Sequence, residues 1–152
     1  YTTLFRSALI MFQPMILGMA GNIGSQSIAV TILKLSHDEL EGKKAEKRHI
    51  FKEIGIGLLN SIAIGIVGFL LSYGVLNFTN MGDQSPLLLA LTIGLSLTGG
   101  MFVSAMAGVF IPIILEKMKV DPAIASGPII STLNDLFALL IYFGIATLIF
   151  LL

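Results

Sequence analysis

The sequence predicts an all-α membrane protein, a transmembrane helix bundle, and three observations predict it. Of 152 residues, 55% are hydrophobic and only 12% charged, against about 25% charged in an average soluble domain. The charges are also segregated. Residues 7–33, 54–82 and 84–115 carry none, and 122–152 carry one, Asp135. Each run exceeds the ~20 residues a helix needs to cross a ~30 Å hydrocarbon core. Finally, apolar character is continuous rather than alternating, which argues against a transmembrane β-barrel. Zero formal net charge gives no basic field for nucleic acid. The absence of cysteine removes thiolate metal sites and thiol nucleophiles.

The runs predict four spans, at about 5–34, 50–76, 86–115 and 122–151. Residues 34–53 form a charged loop between the first two. Asn77 to Ser85 joins the second and third without Lys or Arg, and Glu116 to Asp121 joins the third and fourth. Eight of the nine basic residues (Lys34, Lys43, Lys44, Lys47, Arg48, Lys52, Lys117 and Lys119) fall on one side of this layout, and only Arg6 opposite. The positive-inside rule then makes loops 35–49 and 116–121 cytoplasmic and puts both termini outside. An outside start at Tyr1 without a visible signal predicts at least one preceding span in the full protein.

Local signals punctuate the spans. Asp121-Pro122 and Ser85-Pro86 each read as a helix cap followed by proline at the first helical position. Pro14, Pro112 and Pro128 fall inside spans, where each frees a carbonyl about one turn back, at Ile10, Gly108 and Ile124. Gly57, Ser61 and Gly65 in the second span, and Gly100, Ser104 and Gly108 in the third, form small-residue stripes. Such stripes let helices approach closely, inside a subunit or across a dimer.

Eight of the nine acids lie in or beside loops: Asp38, Glu39, Glu41, Glu46, Glu53, Asp83, Glu116 and Asp121. Asp135 alone lies deep, ~20 Å along a helix from Asp121 at ~1.5 Å per residue. A carboxylate there costs on the order of 2.5–3.5 kcal/mol, so it is expected to face the bundle interior with a partner. No basic residue matches its depth. In the first span, Gly18-Met-Ala-Gly-Asn22-Ile-Gly-Ser25-Gln26-Ser27 puts Asn22 and Gln26 one turn apart with Ser25 beside them. Counted from Lys34, Asn22 lies ~18 Å deep, level with Asp135. Ser131 stands one turn below Asp135, and Gly127-Pro128 a turn lower. Amide, hydroxyl and carboxylate oxygens at one level suit a hard cation; Mg²⁺ keeps most of its water and needs one or two carboxylates. The residues alone also allow interhelical glue, at ~0.6 kcal/mol per hydrogen bond, or a protonation switch. No second deep carboxylate, histidine or cysteine accompanies Asp135, so an enzyme is not expected. His37 and His49, in the charged loop, are expected to be solvated.

Gly18-x-Ala-Gly-Asn22-x-Gly24-x-Gln26-Ser27, and a hundred residues on Asp121-Pro-Ala-x-x-Ser-x-Pro128-x-x-Ser-Thr-x-x-Asp135 with Leu-Leu-Ile-Tyr142, resemble the transmembrane domain of the MgtE family of magnesium channels. The resemblance covers essentially the whole chain. It implies five helices per subunit, a homodimer in the lipid bilayer of a bacterial plasma membrane, and Mg²⁺ conduction through a pore between subunits. The family's pore aspartate falls on Asp135, and its Gly-Gly-Asn-x-Gly-x-Gln signature on Ala20, Gly21, Asn22, Gly24 and Gln26, with Ala20 replacing a glycine. The first helix of the five and the cytoplasmic N and CBS sensor domains have no counterpart in this sequence. The expected site is Asp135 from each of two subunits attracting a hydrated ion, with Asn22, Gln26, Ser25 and Ser131 orienting its waters. The alternative mechanism is a proton- or sodium-coupled transporter in which Asp135 cycles its protonation.

Overall fold

A chain with so little polar surface must satisfy its backbone within each segment once it leaves water, and helices do so. The computed structural model describes residues 2–79, 85–126 and 128–151. They form four long helices, α1 (Thr2–Ser36), α2 (Lys43–Thr79), α3 (Pro86–Lys117) and α4 (Pro128–Leu151), with a 3₁₀ turn at Pro122–Ser126 before the last. All four are long and apolar enough to cross a membrane, and no strand occurs among the described residues. Asp83 in the second connection and Gly127 lie outside the described residues.

The expected entry to the fourth span is divided. Asp121 does cap, its Oδ1 accepting from the Ala123 backbone N–H at 2.9 Å. The capped segment is the 3₁₀ turn, however, and α4 begins only at Pro128. Proline disfavours helical geometry in the residue before it and is preorganised for a first helical position. Pro128 therefore starts a helix rather than kinking one. Ser85 stands at the N-cap of α3 with Pro86 after it, but its side chain makes no capping bond.

Two helices at the basic end stop in the same way. In α1 the Glu39 N–H bonds Lys34 O and the Asp38 N–H bonds Leu35 O, with Asp38 at φ 56°. In α3 the Val120 N–H bonds Leu115 O and the Lys119 N–H bonds Glu116 O, with Lys119 at φ 59°. Both are Schellman stops carried by a residue other than glycine. Lys117 Nζ pairs with Glu46 Oε1 across the ends of α3 and α2.

Helix α3 is the hub, packing against α1, α2 and α4. The largest apolar cluster lies away from the basic end and includes Leu9, Ile16, Leu76, Ile93, Leu97 and Tyr142. There the Tyr142 hydroxyl donates to Leu9 O at 2.7 Å, joining α4 to α1. Both small-residue stripes are used inside the chain. Gly57 and Gly65 of α2 lie against Ala105 and Thr98 of α3, while Gly100 and Gly108 of α3 receive α4 and α1. Much of the exterior is apolar, with Phe51, Leu59, Leu70 and Leu140 well exposed, as lipid contact requires.

Candidate ion site

The α1–α4 crossing sets the level of the candidate residues. Gly24 of α1 lies against the Asn134 side chain of α4 so closely that a Cβ on Gly24 would overlap the amide. On the α3 side, a Cβ on Gly108 would come within 2.6 Å of Gly24 O and 2.8 Å of the Ser27 Cβ. Three helices therefore meet at Gly24. Asn22–Gln26 and Ser131–Asp135 bracket that contact, two on each helix, so the two polar segments share a level in the bundle.

The side chains themselves lie on the outside of the single chain. Asn22, Ser25, Gln26, Ser131 and Asp135 are all exposed, whereas Ser27 and Asn134 are buried. At about 100° per residue, Gln26 sits roughly 200° around α1 from Gly24. It lines a groove of about 160 Å³ between α1 and α2 with Ser27, Glu53 and Asn60. Gln26 thus faces α2, while Gly24 faces α4. Among the described residues, no three His, Asp or Glu side chains come together as a metal-holding group. Asp135 is the carboxylate of α4 at this level, and Glu53 of α2 lines the groove beside Gln26.

Sequence reasoning missed three features. Asn134, 1% exposed, has neither its amide nitrogen nor its oxygen hydrogen-bonded; a buried polar group in that condition calls for a water, an ion or another partner. Its signal was adjacency to Asp135, which a search for charge passes over. Glu53, expected beside the loop, is 8% exposed in the body of α2. His49, expected to be solvated, is 3% exposed, and its Nε2 lies 3.0 Å from the Thr31 hydroxyl. The reason is that α2 starts at Lys43, so His49 and Glu53 sit one turn apart on a helical face rather than in a loop. That face carries His49, Glu53, Gly57, Ser61 and Gly65, all buried, at a spacing of four throughout.

Chemically, the exposed oxygens could order the hydration shell of a hard cation, and Asp135 supplies charge. A protein-family comparison matches residues 13–145 to MgtE, described as a divalent cation transporter. Among curated relatives, the chain is similar to a magnesium transporter MgtE of Bacillus subtilis, 47% identical over 92% of this chain and 29% of that protein. Magnesium transporters of the same name from Enterococcus faecalis and Thermus thermophilus are 37% and 36% identical, each over 93% of this chain and 29% of their own length. The chain thus spans less than a third of the relatives it matches.

Proposed function

The chain belongs to the MgtE family of divalent cation transporters, and from that premise we propose that it conducts Mg²⁺ through a pore completed by a second copy of itself. The observation that carries this reading is the exposure of Asp135 together with Ser131, Asn22, Ser25 and Gln26. Asp135 lies seven residues into α4, about 10 Å along the helix. A carboxylate facing lipid inside a span is costly, up to about 2.5–3.5 kcal/mol at the bilayer centre. That face is therefore covered in the working protein. A two-fold axis beside Asp135 covers it and brings a second carboxylate without new sequence.

In this arrangement the two Asp135 carboxylates attract the ion electrostatically while it keeps most of its water. Ser25 and Ser131 offer oxygens to those waters; Asn22 and Gln26, on the strip of α1 turned away from Gly24, act on the approach, Gln26 beside Glu53. The membrane potential supplies ~2.3 kcal/mol per charge per 100 mV, so a divalent ion needs no other drive. Residues 35–49, which include the first turns of α2, and 116–121 hold most of the basic residues and face the cytoplasm.

Asp135→Asn tests the reading, because it keeps shape and removes charge from both subunits. Voltage-driven Mg²⁺ current in liposomes should fall by at least a hundredfold while the protein still folds. Wild-type-like current would sink the assignment. Current that survives but loses its pH dependence would instead favour the proton-coupled mechanism.

A further inference from the structure

The basic end of the molecule contains a second polar feature that ion conduction at Asp135 does not use. A cavity of about 550 Å³ opens between the end of α1 and the start of α2. Lys34, Lys44, Arg48 and Lys52 line it against two carboxylates, Glu39 and Glu41, so cations outnumber anions two to one. His49 is also part of the wall. The Thr31 hydroxyl gives its one proton to Ser27 O at 2.7 Å, so the 3.0 Å contact to His49 Nε2 is served by an N–H on the ring. The other nitrogen, Nδ1, is buried and has no partner.

We infer that this cavity binds the phosphate of an anionic group, held by Lys44, Arg48 and Lys52 with the His49 ring behind them. The cavity stands at the end of the charge-free run beginning at residue 54, where α2 leaves the membrane. A phospholipid headgroup reaches that position from the bilayer, and a free phosphate reaches it from solution. Clusters of Lys and Arg just outside a transmembrane helix attract anionic headgroups for this reason. His49 lies ahead of that run. Its burial, with Lys34 and Lys52 adding to the effect, holds the imidazole below its ordinary value. An anion that offsets those two ammoniums draws a proton onto Nδ1, which then becomes a donor to it.

The test uses the full polypeptide that carries this chain, purified in neutral detergent and exchanged into phosphatidylcholine nanodiscs containing graded phosphatidylglycerol. Native mass spectrometry counts retained lipid, and thermal melting with inorganic phosphate reads the free anion. Lys44 and Arg48 are exposed, so Lys44→Gln/Arg48→Gln should fold normally. It should retain phosphatidylglycerol roughly twenty-fivefold less well, at about fivefold per cation removed, with phosphatidylcholine retention unchanged. Glu39→Gln/Glu41→Gln should retain more phosphatidylglycerol than the parent and serves if the first variant misfolds. Stabilisation by inorganic phosphate in the parent alone, without lipid preference, would assign the site to a free anion. Equal retention of both lipids by the parent and both variants, with no phosphate effect, would overturn the inference. A cavity filled by an acidic segment of the full polypeptide gives that same overturning result.

Discussion

The two polar regions of this bundle are finished to different degrees. At the basic end, the chain meets most of its own needs. Thr31 satisfies His49 Nε2 and Ser27 satisfies Thr31, Lys117 pairs with Glu46, and two Schellman stops close α1 and α3. At the level of Asp135 it does not. Asn134 is buried without a hydrogen bond, and Asp135, Ser131, Asn22, Ser25 and Gln26 stand exposed. Water reaches the first region and can correct small imbalances. In the hydrocarbon layer nothing corrects them. An unfinished polar surface there needs partners from outside the chain, which in the proposed reading are an ion with its waters and a second copy of the chain.

The largest effect that separates the regions is steric. Gly108→Ala sets a methyl against backbone, Gly24 O and Ile28 N, and against the Ser27 Cβ, none of which can move without shifting α1 from α3. Overpacking of that kind should cost about 3 kcal/mol or more, read as a lost or strongly lowered melting transition in detergent. Gly24→Ala sets its methyl against the Asn134 amide instead. A side-chain end can swing aside, so the second variant should melt closer to the parent. Equal losses would mean that α1–α3 contact is no tighter than α1–α4.

Next comes the hydrogen-bonded region. Thr31→Val keeps shape but removes the hydroxyl that His49 Nε2 faces, leaving both ring nitrogens buried without partners. The expected loss is about 1–3 kcal/mol, with Mg²⁺ current per folded molecule unchanged. A fall in current instead would tie the basic end to conduction.

Asn134→Leu should act in the opposite direction. Removing an unpartnered buried amide relieves about 1 kcal/mol or more of desolvation, so the protein should melt at or above the parent. If the Asn134 amide serves the water around an ion beside Asp135, Mg²⁺ current should fall while stability holds or rises. A destabilised protein with normal current would make Asn134 packing alone.

Much of this was legible in the sequence, for identifiable reasons. Charge-free runs mark membrane helices because a charge inside the bilayer is costly. Asp135 stood out because it breaks that rule. Its depth, however, was counted through a segment that the 3₁₀ turn and the late start of α4 interrupt, and it is the Gly24–Asn134 contact that sets its segment level with Asn22. The facing of each residue was harder to read. Gln26 and Asn22 fall on one strip by spacing, yet only the packing of Gly24 on Asn134 fixes which neighbour that strip meets. His49 and Glu53 were misjudged because composition marks 34–53 as a loop. Helix α2 extends through the second half of that segment because Ala45, Glu46 and Lys47 are good helix formers, and polar residues are no obstacle to a helix in water.

The smallest prediction concerns the basic end's own residual strain. Lys119 holds φ at 59°, a left-handed geometry that costs an L-residue roughly 1 kcal/mol and costs glycine almost nothing. It is exposed, and its backbone N–H already bonds Glu116 O, so the stop keeps its hydrogen bonds without the side chain. Lys119→Gly should therefore raise stability by up to about 1 kcal/mol, offset in part by the greater freedom glycine gives the unfolded chain. Asp38→Gly, at φ 56°, should do the same independently, because the two stops belong to different helices and their effects should add. A rise in melting temperature for each, and the sum for both, would show that strain at this end is local to its turns. A fall for either would mean that the side chain contributes more than its backbone geometry costs, through Lys119 at the membrane surface or Asp38 in the loop it closes.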